Sequence, residues 1–227
     1  MSNNIKEYIS SSLQKSKEHL LYNSIPVILQ NSLVGEFSIK EILSVIESRI
    51  PQRFFQAVDV IYVGQFKSLQ QREVEALYED GAIFISNALE TIEDYIESIG
   101  HEVAHAMETV YPLDIYADGE LELEFIGKRK RLRDILISHG YQYVEGSRGD
   151  FFKTEYDEGL DTFFYQDVGY PLLTTLTSGL FMSPYAVTSL REYFANGFEW
   201  YLIKGEKEKL KNISPVLYYK LDKIFYM

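Results

Sequence analysis

The chain has 227 residues, 46% hydrophobic and 15% aromatic, which suits one large domain, or one domain with an appended piece, around a sizeable core. A net charge of −12 argues against nucleic acid as the main partner, because phosphate binding wants a basic surface. With no Cys, neither a disulfide nor a thiolate metal site is possible, so any metal must use His, carboxylate and water, a set that suits a catalytic zinc better than a structural one.

The N-terminus, Met1-Ser-Asn-Asn-Ile-Lys6, lacks the apolar core of a secretion signal. The expectation is a cytoplasmic chain, or one that is secreted or delivered by a non-classical route or as part of a virion or toxin. Ile5 to Leu21 reads as an amphipathic helix on Ile5, Ile9, Leu13, Leu20 and Leu21, and Val27 to Leu29 as a short strand. Ser38 opens a second helix, with Glu41 completing a capping box and Pro51 marking the end. Residues 1–50 are thus expected to form a helical segment packed on a domain of residues 51–227.

After Pro51 the period changes. Val58 to Val63 is β-branched and aromatic, as a strand would be. Val74 to Tyr78 and Ala82 to Ile85 flank Glu79-Asp80-Gly81, and Asp-Gly between apolar runs signals a hairpin with positive φ in the turn. From Ile92 to Val110 the apolar positions Ile92, Tyr95, Ile96, Ile99, Val103, Met107 and Val110 form one helical stripe, with Thr91 and Asp94 as the cap. Further on, Glu120 to Phe125 alternates as an edge strand does. The basic run Lys128-Arg-Lys-Arg131 opens a helix with a solvated face that ends near Ser138, with Gly140 as its cap. Glu145 to Gly149 is turn-like, and Glu155 to Phe164 is helical, with Tyr156, Leu160, Phe163 and Phe164 on one side. Tyr170 to Met182 is the most apolar run and is too short to span a bilayer. Ser189 to Ile203, stopped by Gly205, and Val216 to Phe225, with Leu217, Leu221, Ile224 and Phe225, are the closing helices.

Within the Ile92–Val110 stretch, His101, Glu102 and His105 fit H-E-x-x-H. A helix turns about 100° per residue, so positions four apart lie almost one above the other and two imidazoles can share one metal ion. Glu102 lies one step around, within reach of a metal-bound water. Both His project away from the apolar stripe. The plain reading of that side is a solvated face shared with Glu93, Glu97 and Glu108.

A catalytic zinc needs a third protein ligand. The extended H-E-x-x-H-x-x-G-x-x-H form is excluded, because Glu108 and Tyr111 stand at its Gly and third His positions. Glu120, Glu122 and Glu124 fit a solvated edge, and His139 sits beside a Gly cap. Glu192, in Ser183-Pro-Tyr-Ala-Val-Thr-Ser-Leu-Arg-Glu-Tyr-Phe-Ala-Asn-Gly-Phe198, is the better candidate, since a carboxylate on a second helix can approach the His pair from the side. Its plain alternative is a capping box with Ser189. For Tyr185 the plain alternative is a buried loop tyrosine.

A helix carrying Glu-(aromatic)-Phe-Ala, with a Tyr seven residues before that Glu, resembles the catalytic domain of anthrax lethal factor and the related Pro-Pro endopeptidases, which are gluzincins. The resemblance covers residues 58–227 and rests on two specific motifs. It implies zinc ligation by His101, His105 and Glu192, a general base at Glu102, and help from Tyr185 at the oxyanion or leaving group. The family often has a second acidic residue four after the ligand Glu, where this chain has Asn196, and its shorter spacing makes Tyr111 to Arg148 an insertion.

These readings imply an α+β, zincin-like fold, with a small mixed sheet, an active-site helix and a mainly helical C-terminal half. The implied function is a zinc endopeptidase acting on a protein or peptide. Ala82, Ile83, Phe84 and Ile85 would border the cleft and bind substrate as an added antiparallel strand. The reading from a different class is a zincin-like binding or structural component of a toxin complex or virion, without turnover.

Overall fold

Two strands, β1 (Glu18–Leu21) and β2 (Ile25–Leu29), form an antiparallel hairpin whose turn places Tyr22 and Asn23 at positive φ. The computed structural model describes residues 18–141 and 150–227. The chain forms two compact units, Met1–Val110 and Tyr111–Met227. The fold is α+β with a small mixed five-stranded sheet. The helix expected over Ile5 to Leu21 is instead a strand over residues 18–21; its earlier residues, and the turn expected at Glu145 to Gly149, lie outside the described residues.

In the first unit, α1 (Ile39–Arg49) begins at Ser38 with the full capping box: Ser38 Oγ accepts from Glu41 N, and Glu41 returns a carboxylate oxygen to Ser38 N at 2.7 Å. Next come β3 (Val60–Gly64), the short helix α2 (Lys67–Arg72), and the hairpin of β4 (Ala76–Glu79) and β5 (Ala82–Ser86). Asp80 and Gly81 have φ of +47° and +83°, the geometry that the Asp-Gly pair predicts. Gly81 suits that position because an L side chain is strained at a φ of +83°.

The strand order is β1-β2-β3-β5-β4, with β2/β3 and β3/β5 parallel and the two outer pairs antiparallel. The boundary expected at residue 50 therefore falls inside this unit, since β2 and β3 on either side of it are hydrogen-bonded neighbours. The parallel pairing also corrects the reading of Ala82 to Ile85. That segment is an interior strand, bonded to β3 on one side and to β4 on the other. Its backbone is already used, so it has no free edge to offer a substrate; β4 is the outer strand at that end of the sheet.

Helix α3 (Ile92–Val110) has the predicted bounds. Its cap is reciprocal, with Thr91 N donating to Asp94 at 2.9 Å and Asp94 N donating to Thr91 Oγ1 at 3.1 Å. Tyr95, Ile96, Ile99, Val103 and Met107 are buried, and the helix packs on β4, β5 and α1. Full burial of each of its Ile, Val and Met side chains is worth about 1.5–3 kcal/mol, so the stripe fixes the helix's rotation and thereby the direction of everything on its other faces.

The second unit is built of helices among the described residues: α4 (Pro112–Tyr116), α5 (Glu120–Ser138), α6 (Glu158–Thr162), α7 (Tyr170–Thr177), α8 (Leu190–Phe198), α9 (Lys207–Ile213) and α10 (Pro215–Phe225). Helix α6 runs on into a π-helical turn, Phe163–Val168, and α8 into another, Glu199–Ile203. Two expectations fail in α5. Glu120 to Phe125 is helix, not edge strand, because Leu121, Phe125, Leu132 and Leu136 repeat at helical spacing and are buried. The basic run is not all solvated either: Lys128 is 7% exposed and Arg129 0%. Lys128 Nζ donates to Leu180 O at 2.7 Å, Ile213 O at 2.5 Å and Ser214 Oγ at 3.1 Å, and Arg129 donates to Lys153 O. Of the four residues expected on one side, Leu160 on α6 and Phe163 and Phe164 in the π-helical turn are buried together, whereas Tyr156 precedes α6 and is exposed. No helix among the described residues is long and apolar enough to cross a membrane.

Candidate metal centre

The stripe that seats α3 sends His101 and His105 to another side of the helix. Their ring centroids lie 5.0 Å apart with planes at 78°, edge to face, as expected for imidazoles one helical turn apart. His101 is partly exposed and His105 is 8% exposed.

Glu102 is 7% exposed, and Tyr78 N on β4 donates to its Oε2 at 2.7 Å. A backbone N–H of the outer strand thus holds the Glu102 carboxylate. His105 Nδ1 faces Glu108 Oε2 at 2.9 Å, and Glu108 is 9% exposed. The sequence suggests a solvated face for Glu108; the structure makes it a buried partner of a histidine. A signal for this exists in the spacing, because residues three apart share a helix face.

Glu192 is on α8, whose N-cap is Ser189: its hydroxyl accepts from Glu192 N at 3.1 Å. The next residue anchors the helix. Tyr193 is buried and donates through its hydroxyl to Glu124 Oε1 at 2.8 Å. Burial and the Glu124 charge both push the Tyr193 phenol well above its usual pKa, so it stays a donor. Glu124 also accepts from Val216 N at 2.9 Å and Leu217 N at 3.2 Å, serving as a carboxylate cap for α10. This binds Glu124 into the scaffold instead of leaving it on a solvated edge. Gly197 lets α8 approach α10, because a Cβ there would stand 2.3 Å from Leu217 Cδ2.

His101, His105 and Glu192 each offer one ligand atom, and these atoms lie within 4.8 Å of one another, close enough to bind one metal ion. Two imidazole nitrogens and one carboxylate oxygen are a donor set that fits zinc, with thiolates ruled out by composition. Tyr185 opens a short 3-10 turn, Tyr185–Val187, ahead of α8. It is 41% exposed, so it is not the buried loop residue of the plain alternative. His139 lies exposed at the C-terminus of α5, with Nδ1 2.9 Å from Ile135 O, and is not in the ligand group. Asn196 is buried, and its Oδ1 has no hydrogen-bond partner among the described residues.

Comparison with family models, with curated proteins and with solved structures finds no match for the chain.

Proposed function

We propose that the chain is a zinc-dependent endopeptidase of the gluzincin kind, with a zincin-like fold and a protein or peptide as substrate. The observation that carries this reading is the convergence of the His101, His105 and Glu192 ligand atoms within 4.8 Å, two from the H-E-x-x-H helix and one from the distant Glu motif. When bound, a zinc ion supplies Lewis acidity, bringing the pKa of a water to about 7 and polarising a carbonyl.

The chain's own residues do the rest. Glu102 accepts the proton of the attacking water and later delivers it to the leaving amine. Its hydrogen bond from Tyr78 N keeps the carboxylate oriented while leaving oxygen lone pairs for the water. Tyr185 donates its phenolic hydrogen to the oxyanion that forms as the peptide carbonyl is attacked. Strand addition by the substrate is assigned to β4, the outer strand of the sheet, whose Tyr78 already reaches Glu102.

The test is metal analysis of the purified protein together with cleavage of a mixed peptide library, wild type against Glu102→Gln. The expected result is one zinc per chain, with cleavage that the substitution lowers by about 10²–10⁴. Zinc without cleavage by the wild type points to the binding or structural role instead, and absence of zinc removes the reading.

A further inference from the structure

Local rules disfavour an acidic residue at position 108. It sits in the last turn of α3, where the helix dipole presents its negative end, and that turn carries no basic residue. It is also 9% exposed, and burying a carboxylate is costly without hydrogen-bonding partners. A residue that breaks two local preferences needs a compensating contact. One such contact is the 2.9 Å approach of Glu108 Oε2 to His105 Nδ1, with both side chains at most 10% exposed.

We propose that Glu108 is a positioning residue for the metal centre. Its carboxylate accepts the Nδ1–H of His105, which fixes the imidazole tautomer and ring orientation and leaves the Nε2 lone pair for the metal. This proposal rests on the zinc reading of the site. It differs from a plain helix-stabilising pair in one respect: it concerns which nitrogen carries the proton, and through that the affinity for zinc. The Glu108 side chain itself takes no place among the ligands, as the ligand group is His101, His105 and Glu192.

Two measurements on the full chain test it. In metal-free wild type at mildly alkaline pH, long-range proton–nitrogen NMR should show His105 as the Nδ1–H tautomer, and Glu108→Ala should show Nε2–H or a mixture. Zinc affinity, measured by competition with a chromophoric chelator, should fall about 10–100-fold in Glu108→Ala. Glu108→Gln keeps the shape and removes the charge. It should lose about tenfold, the lower end of that range, and it serves as the test if the alanine variant does not fold. An Nε2–H His105 in the wild type, or wild-type zinc affinity in either variant, overturns the role of Glu108 alone. A wild type that binds no zinc overturns the metal reading and this role with it.

Discussion

Tyr78 N, on the outer strand of the sheet, donates to Glu102 Oε2 at 2.7 Å. The sheet and the H-E-x-x-H helix are thereby joined through the carboxylate that the proposed mechanism uses as its base. In Glu102→Gln the amide oxygen can still accept from Tyr78 N, so the fold and the ligands should persist while the base is lost. Zinc content should match wild type, and turnover should fall by about 10²–10⁴. Activity retained in a zinc-loaded Glu102→Gln protein would sink the mechanism.

Glu192 supplies the third ligand atom of the group, and its helix is anchored separately by Ser189 and by the Tyr193–Glu124 bond. Glu192→Ala should therefore leave the protein folded, with a circular-dichroism spectrum like wild type, while zinc content after dialysis falls to a small fraction. Two imidazoles alone do not make the three-ligand site that a catalytic zinc requires. Unchanged zinc in this variant would remove Glu192 from the ligand set.

What is legible in the sequence is what short-range physics decides. The Ser38–Glu41 and Thr91–Asp94 caps, the Asp80-Gly81 turn and the bounds of Ile92–Val110 all depend on residues within one turn of each other. The placement of β5 is not legible, because its parallel pairing with β3 joins segments about twenty residues apart and leaves no local periodicity of its own. Glu120 to Phe125 misleads for a different reason. Its alternation is real, but the helical repeat runs on through Lys128 and Arg129, whose charges hide their burial. Glu108 misleads likewise, as a buried charge that looks like a solvated one.

Tyr185 stands ahead of the helix that carries Glu192, on a turn where Ser183 Oγ accepts from Ala186 N at 3.3 Å and Thr188 N donates to Tyr185 O at 3.0 Å. With 41% of its surface exposed, the ring contributes little packing that a phenylalanine would not keep. Tyr185→Phe should leave stability and KM close to wild type. It should lower kcat by about 10²–10³, the loss of one oxyanion donor, since that bond forms only in the transition state. Steady-state kinetics on a single cleaved peptide decides it, and wild-type kcat would return Tyr185 to a structural residue.

Lys128 gives the chain a pH dependence of known sign. Burial pushes its ammonium down to about 8, against the opposing pull of Glu124, while in the unfolded chain it titrates near 10.4. Between those values the unfolded state binds more protons than the folded one, so this group makes stability rise with pH across the window. Below about 8 both states hold the proton, and the cost of burying the charge is present in full. The whole window is worth about 3 kcal/mol at most. Lys128→Met removes the titration. It also leaves Leu180 O and Ile213 O without that donor, at about 1–3 kcal/mol for each carbonyl that finds no substitute. Urea unfolding of both proteins from neutral pH to about 9.5, below the normal tyrosine pKa of about 10, should show the wild type gaining on the variant as pH rises above 8. A stability difference that stays flat, or that shrinks, over that range would show that Lys128 keeps its proton in the fold, held by the three acceptors around it.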